Sequence, residues 1–209
     1  MDQLRNAQLG NFFSTPVLEH VWADAAQLNL ALRASILDQA RLCPGERLSN
    51  AGGWHSATGL LEFCGSAGER LVSHVREMTR EATRRLYAEF SEFPPDTLRW
   101  SLSAWANVNQ AGHSNNMHTH PGATWSGVYY VDHGEESSGA EAAALHLSDP
   151  CPPRTNIFFP ELLSATVRIR PEPGLMVLFP SYVPHAVPPH RGARPRISIA
   201  FNVRKEPFP

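Results

Sequence analysis

Three histidines have the spacing expected of a metal site. His118 and His120 are separated by one residue, and His185 follows much later, after a proline-rich turn. Alternate side chains of an extended chain lie on one face, so the first two imidazoles can point at the same ion. Pro121 favours extended geometry at His120. Two ligands from one strand and a third from a distant strand can hold a mononuclear ion and leave positions open for other ligands.

The residue types alone do not choose the metal, because iron, zinc, copper and nickel all accept imidazole. A single His-x-His pair is also a weak signal, and histidine is frequent in this chain, which has 10 of them. The alternative is that these histidines are exposed or hydrogen-bonded side chains with no metal. The downstream segment Gly174 to Pro188 favours the metal site, because an apolar run ends there at a turn that presents His185.

Arg196 and Ser198 predict a binding site for a carboxylate group. They are two residues apart in a strand-like segment and therefore share a face. The guanidinium can grip both carboxylate oxygens, and the serine hydroxyl adds a further donor. The alternative is that Arg196 forms a structural ion pair or lies at the rim of the site.

The first half of the chain predicts two amphipathic helices that cover a core. Leu28, Leu32 and Ile36 recur every four residues after Asp24, a candidate N-cap, and Cys43-Pro44-Gly45 ends this helix. A second helix is predicted from about Ala67 to Phe90, and Pro94-Pro95 stops it. Its apolar stripe consists of Leu71, Val75, Met78, Ala82, Leu86 and Phe90.

After Thr97 the apolar runs become short and rich in β-branched and aromatic residues, which indicates strands. Their number and spacing favour a sandwich or jelly roll over alternating βα units. We therefore expect a mainly β single domain, 1–209, of α+β class, with a helical cover over about 1–96 and a β core over about 97–209. The predicted strands are Leu98 to Asn109, Thr124 to Asp132, Ala142 to Leu147, Ala165 to Arg170, Leu175 to Phe179 and Ile197 to Val203.

Composition argues against several classes of partner. A formal net charge of −2, with a pI near 6.5, gives no electrostatic reason to expect nucleic acid. No apolar run approaches the ~20 residues that cross a bilayer. The three cysteines lie far apart and are expected to be reduced. We expect a soluble, cytoplasmic protein; the sequence does not indicate its oligomeric state.

Four short motifs occur within about residues 105–203. They are Asn116-x-His118-x-His120-Pro121, Ser126-Gly127-Val128-Tyr129-Tyr130, Phe179-Pro180-Ser181 before His185, and Arg196-x-Ser198-Ile199-Ala200-Phe201-Asn202. Together they resemble the 2-oxoglutarate/Fe(II)-dependent oxygenases, and the segment Ser49 to Ser56, with its Gly52-Gly53 turn, is similar to the same branch. The resemblance implies a double-stranded β-helix, a jelly-roll fold of cupin-like architecture, with Fe(II) at the histidines and 2-oxoglutarate bound to the iron.

The same resemblance assigns roles to individual residues. Arg196 and Ser198 match the pair that binds the distal carboxylate of 2-oxoglutarate, and Tyr130 is similar to a strand tyrosine that supports that carboxylate. Tyr129 has the opposite facing and is the alternative. Apart from the resemblance, Trp54, Trp105, Asn107 and Trp125 are candidates for the pocket wall, although core packing is the commoner fate of a tryptophan.

His120 departs from the family pattern, which has an acid at this position. Three explanations are open: His120 is itself the third ligand, it lies behind a water molecule, or Asp132 or another acid supplies the ligand. We favour the first, because strand alternation places His120 beside His118.

The predicted function is that of a dioxygenase that uses Fe(II) and 2-oxoglutarate to hydroxylate an unknown small-molecule or peptide substrate. No catalytic residue is predicted apart from the metal site. One alternative is a cupin-like three-histidine metalloenzyme that does not use 2-oxoglutarate, such as a thiol dioxygenase or an isomerase. Another is a non-enzymatic β-sandwich binding module.

Overall fold

Two antiparallel sheets and three helices form the part of the chain that the computed structural model describes, residues 14–86, 99–134, 144–151 and 165–206. The larger sheet has the order β1-β9-β6-β11-β4-β3, and the smaller one has the order β2-β5-β10-β7-β8. The strands are β1 (Leu18–Val21), β2 (Asn50–Ala51), β3 (Trp54–His55), β4 (Trp100–Asn109), β5 (Ser114–His118), β6 (Trp125–Asp132), β7 (Leu145–Ser148), β8 (Thr166–Ile169), β9 (Leu175–Pro180), β10 (His185–Val187) and β11 (Arg196–Lys205).

The larger sheet is covered on both faces, and each face has its own apolar core. One core joins this sheet to the helices and includes Leu32, Leu71 and Tyr129. The other joins it to the smaller sheet and includes Tyr130 and Phe179. The predicted fold class, a mainly β jelly roll with a helical cover, is confirmed.

The helices are α1 (Ala25–Leu42), α2 (Leu60–Phe63) and α3 (Gly65–Leu86). The apolar positions predicted for α1 are buried, as are those of α3 from Leu71 to Ala82, and both sets belong to the core that joins the helices to the larger sheet. Phe90 and Pro94-Pro95 lie outside the described residues. Asp24 is the N-cap residue of α1, as predicted, but its carboxylate makes no cap hydrogen bond and accepts instead from Arg70 and His74 of α3.

All six predicted strands form, within one to three residues at most ends. Leu98 and Ala142, the first residues of two of them, lie outside the described residues. Five strands were not predicted: β1, β2, β3, β5 and β10. Three of these come from the first half of the chain and join both sheets, so this half contributes strands as well as helices. Within the described ranges, no helix is long and apolar enough to cross a membrane.

Candidate active site

A β-bulge brings the first histidine onto the interior face of the smaller sheet. On β10, His185 pairs with His118 of β5, whereas Val187 pairs with Asn115. The two pairs are therefore two residues apart on β10 and three apart on β5, which is the pattern of a bulge. The additional residue on β5 lets His118 share the facing of Asn115. As a result, His118 and His185 are direct cross-strand neighbours, with ring centroids 4.3 Å apart.

His120 lies just beyond the end of β5 and completes the trio. Its backbone N–H donates to the carbonyl of Ser181, at 3.0 Å, which fastens this segment to the turn after β9. Its ring centroid is 4.9 Å from that of His118 and 5.1 Å from that of His185. One ring nitrogen from each of the three histidines lies within 4.8 Å of the others, which is a spacing that can hold a metal ion. The structure thus brings together the three histidines that the sequence singled out.

Hydrogen bonds orient two of the three rings. The Nδ1 of His118 lies 2.6 Å from the carbonyl oxygen of Asn116, and the Nδ1 of His185 lies 2.9 Å from that of Val183. A carbonyl accepts only, so each Nδ1 carries the proton and donates it. This leaves each Nε2 with a lone pair for a metal, and such a bond fixes the tautomer and the direction of a metal-binding histidine.

The surroundings keep two of the imidazoles neutral. Burial lowers the pKa of His185 to about 3. Burial, together with the neighbouring His118, lowers the pKa of His120 to about 4. A neutral imidazole is the form that binds a metal, so near neutral pH the protons do not compete for these nitrogens.

No acid joins this cluster within the described ranges. Asp132, the acid considered as a possible ligand, lies at the end of β6, where its carboxylate faces Arg33 at 3.4 Å and Arg194 at 3.8 Å. It also accepts a hydrogen bond from the backbone N–H of Gly134. Asp132 is not among the residues that line the histidine pocket.

Arg196 and Ser198 are the first and third residues of β11, and both line the same pocket. The Arg196 side chain is almost fully buried, at 1% exposed, and its Nη1 donates to the Ser198 Oγ at 2.9 Å. Its guanidinium carbon lies 5.1 Å from the centre of the Tyr130 ring. The two residues predicted to bind a carboxylate are thus held together in the interior.

The two tyrosines of β6 point in opposite directions. Tyr129 lies in the core under the helices, where its hydroxyl donates to the Asn29 Oδ1 at 2.7 Å. Tyr130 lies between the sheets beside Arg196. Burial raises the pKa of Tyr130, and the nearby positive charge of Arg196 opposes that rise. Of the two, only Tyr130 is placed to act with Arg196.

The histidines and the arginine lie in one pocket between the two sheets, with about 510 Å³ of empty space including its open mouth. Two of the four wall candidates, Trp105 and Asn107, line it. The other two do not: Trp125 is 5% exposed and packs in the core under the helices, while the indole of Trp54 donates to the carbonyl of Cys43. Ser49 and Phe179, which belong to the quoted motifs, also line it, and lining residues outside those motifs include Asn115 and Leu145.

The donor set fits a divalent metal and a dicarboxylate together. Neutral imidazole nitrogens suit Fe(II), and a buried guanidinium with an adjacent hydroxyl suits a carboxylate. One polar atom of this pocket, the Asn107 Oδ1, is buried without a hydrogen bond to any described residue. Buried polar atoms are seldom left in this state unless a ligand or water meets them.

Solved structures share this fold at low sequence identity. A prolyl-4-hydroxylase from Pseudomonas putida is 16% identical, with a TM-score of 0.62, over 93% of this chain and 95% of that one. A prolyl hydroxylase from Trichoplax adhaerens, in complex with a hypoxia-inducible-factor peptide fragment, is 14% identical, with a TM-score of 0.61, over 93% and 84%. The α-ketoglutarate-dependent epimerase SnoN of nogalamycin biosynthesis is 12% identical, with a TM-score of 0.64, over 91% and 76%.

Sequence comparison finds a family match over the β-rich second half of the chain. No curated protein matches this chain at a significant level. A family model described as "Putative 2OG-Fe(II) oxygenase" matches residues 103–202, the segment that holds the three histidines, Tyr130, Arg196 and Ser198. The match covers 100 of the 209 residues. It supports a 2-oxoglutarate/Fe(II)-dependent oxygenase with Fe(II) as cofactor and 2-oxoglutarate as co-substrate, and the cluster of three histidines fits this cofactor.

Proposed function

We propose that this enzyme hydroxylates a small-molecule or peptide substrate, with His118, His120 and His185 as the protein ligands of Fe(II). The observation that carries the proposal is the convergence of three imidazoles in the same pocket as a buried arginine. When bound there, Fe(II) and 2-oxoglutarate supply the activation of O2, in which 2-oxoglutarate is converted to succinate and CO2. The cupin-like enzyme without 2-oxoglutarate and the non-enzymatic module are not favoured by the family match.

The protein's part in this chemistry is to position the metal and the co-substrate and to exclude water. The bonds from the Nδ1 atoms of His118 and His185 to backbone carbonyls fix two rings before metal arrives, so little reorganisation accompanies binding. Arg196, Ser198 and Tyr130 are proposed to hold the distal carboxylate of 2-oxoglutarate. Because Arg196 is buried, its attraction for a carboxylate is little screened by water.

The proposed substrate classes are taken from two of the similar solved structures. The Trichoplax structure contains a peptide, whereas the SnoN structure is that of an epimerase from a small-molecule pathway. Both folds superpose on this chain, so both a peptide and a small molecule are reasonable first substrates to test. A cytoplasmic location remains a prediction from the sequence.

Removal of a proposed ligand is expected to remove iron. We expect His118→Ala and His185→Ala each to lose most of the bound Fe(II), because two imidazoles hold a metal much more weakly than three. Iron would be quantified in protein without a polyhistidine tag. In the absence of oxygen, Fe(II) and 2-oxoglutarate should give the wild type a weak visible charge-transfer band that both variants lack. His20→Ala is the control, since His20 lies on β1 outside the pocket.

Removal of the arginine is expected to separate metal binding from co-substrate binding. Arg196→Ala should keep its iron and bind 2-oxoglutarate at least about tenfold more weakly, because a charge-assisted contact is lost. Titration of the charge-transfer band measures this affinity, and Arg41→Ala, which alters an exposed pair with Asp38, is the control. An Arg196→Ala variant that binds 2-oxoglutarate like the wild type, or wild-type iron content in the histidine variants, would contradict the proposal.

A further inference from the structure

Asn107 is a buried polar residue that the sequence placed only as a candidate for the pocket wall, without a role in binding. It lies on β4, in a row with Trp105 and Asn109 at alternate positions. Asn107 is 5% exposed and lines the pocket, whereas the intervening Ala106 and Val108 pack under the helices. The Asn107 Oδ1 has no hydrogen-bond partner among the described residues.

The neighbours of Asn107 in the sheet show which ligand is within reach. On one side, Asn107 pairs with Ser198 of β11, and the Ser198 Oγ accepts from Arg196. On the other side, Asn107 pairs with His55 of β3. Directly paired residues of antiparallel strands have Cβ atoms about 5 Å apart. The Asn107 amide therefore lies beside the two residues proposed to bind the distal carboxylate.

We propose that Asn107 positions 2-oxoglutarate, with its side-chain Nδ2 donating a hydrogen bond to an oxygen of the bound co-substrate. This inference rests on the proposed function. A carboxamide carries both donors and an acceptor. Because no described residue holds the Oδ1 in its present direction, the amide is able to turn and offer its NH2 group to an anion. Its burial beside Ser198 favours the co-substrate, whose distal carboxylate is proposed to lie at Arg196 and Ser198.

Two substitutions test this role by binding alone. Asn107→Ala removes the donor, and Asn107→Asp replaces the amide by a group of the same shape that cannot donate when ionised and that repels a dianion. We expect 2-oxoglutarate to bind Fe(II)-loaded Asn107→Ala about tenfold more weakly, and Asn107→Asp more weakly still. The measurement is anaerobic titration of the charge-transfer band, together with iron content, which should not change.

A purely structural role would give different results. It would lower the unfolding temperature of the ligand-free variants and leave the affinity for 2-oxoglutarate unchanged. The proposed role leaves the ligand-free unfolding temperature nearly as in the wild type and reduces the increase that 2-oxoglutarate causes. Asn202→Asp, an isosteric charge change on β11 whose side chain bonds to Ser126, is the matched control.

Comparison with Arg196→Ala distinguishes an error in the role of Asn107 from an error in the proposed co-substrate site. If Arg196→Ala weakens 2-oxoglutarate binding and both Asn107 variants bind it within twofold of the wild type, the role of Asn107 is wrong and the proposed function stands. If neither Arg196→Ala nor the Asn107 variants weaken it, the proposed co-substrate site itself is wrong. Weakening in all three variants, with Asn202→Asp unaffected, supports both.

Discussion

His120 occupies the position at which iron oxygenases of the two-histidine, one-carboxylate type have their acid. Three neutral imidazoles leave the full +2 charge on the metal, whereas an acid would reduce it to +1. A 2-oxoglutarate dianion can offset this charge, because the bound ion dominates the local electrostatics. The neutral trio should therefore favour anionic co-ligands more than a site with an acid does.

Substitution of His120 by alanine and by aspartate tests whether it is a ligand. We expect His120→Ala to lower the affinity for Fe(II) at least about tenfold. Removal of a residue that hydrogen-bonds to a metal ligand typically causes a loss of about this size, and removal of a ligand itself should cause no smaller loss. His120→Asp should recover iron binding and weaken 2-oxoglutarate binding, since the site loses one positive charge. Iron affinity and the charge-transfer titration measure the two effects. Wild-type iron affinity in His120→Ala would show that His120 is not a ligand.

For single residues, the sequence was informative where the residue type by itself determines the chemistry. His118, His120, His185 and the Arg196–Ser198 pair were predicted and lie in one pocket. The bulge before His118 was not predicted, because it is defined by the pairing between β5 and β10 and not by either strand alone. The sequence placed Asn107 only as a candidate for the pocket wall, and its proposed role in binding was hidden, since an unpartnered oxygen is visible only when its neighbours are placed.

In the strand β6, packing against the neighbouring strands explains a residue of a short sequence motif. A Cβ atom added at Gly127 would lie 2.3 Å from the Cζ of Phe201 on β11 and 2.5 Å from the carbonyl oxygen of Val177 on β9. Both neighbouring strands thus approach Gly127 too closely for any side chain. The glycine of the Ser126-Gly127-Val128 segment is explained by this contact between three strands.

Replacement of Gly127 by alanine is expected to destabilise the sheet. The added methyl group meets a backbone oxygen as well as a ring, so the strands must move apart, at a cost of about 1–3 kcal/mol in the free energy of unfolding. Urea unfolding of the metal-free protein measures the change. Gly59→Ala is the control, because the nearest atom to its added Cβ is a glutamate oxygen at 3.6 Å. Equal stability of the two variants would mean that this part of the sheet is loosely packed.

Elements were predictable in proportion to their length and periodicity. The apolar stripes of α1 and α3 repeat over several turns, so their burial can be predicted from the sequence. By contrast, β5 has five residues, Ser-Asn-Asn-Met-His, and β10 has three, so neither shows alternation. The N-cap position of Asp24 was predictable, but the partners of its carboxylate were not, because Arg70 and His74 are far away in sequence.

Across the whole molecule, four histidines with lowered pKa values are distributed over both cores. Besides His120 and His185, burial lowers the pKa of His55, which stacks on Trp105. Burial also lowers the pKa of His74, and Asp24 partly offsets this effect. In the unfolded chain all four would take up a proton near pH 6.5.

These groups predict that metal-free protein loses stability on mild acidification. A histidine whose pKa is lower in the folded state contributes stability that is fully present above pH 6.5 and is lost as the pH falls below it, because the unfolded chain binds the proton first. For His120 and His185 the loss should continue to about pH 4 and pH 3. Each such histidine contributes a slope of up to about 1.4 kcal/mol per pH unit.

Chemical unfolding of metal-free protein between pH 7 and pH 5 measures this slope, and His74→Phe provides a matched variant. The phenylalanine ring can keep the stack on Trp22, now 3.7 Å between ring centroids, while it removes the titrating group. We expect the variant to be less stable at pH 7, where it has lost the bond to Asp24, and to lose less stability on acidification. A wild-type free energy of unfolding that stays constant or rises from pH 7 to pH 5 would contradict neutral burial of these histidines.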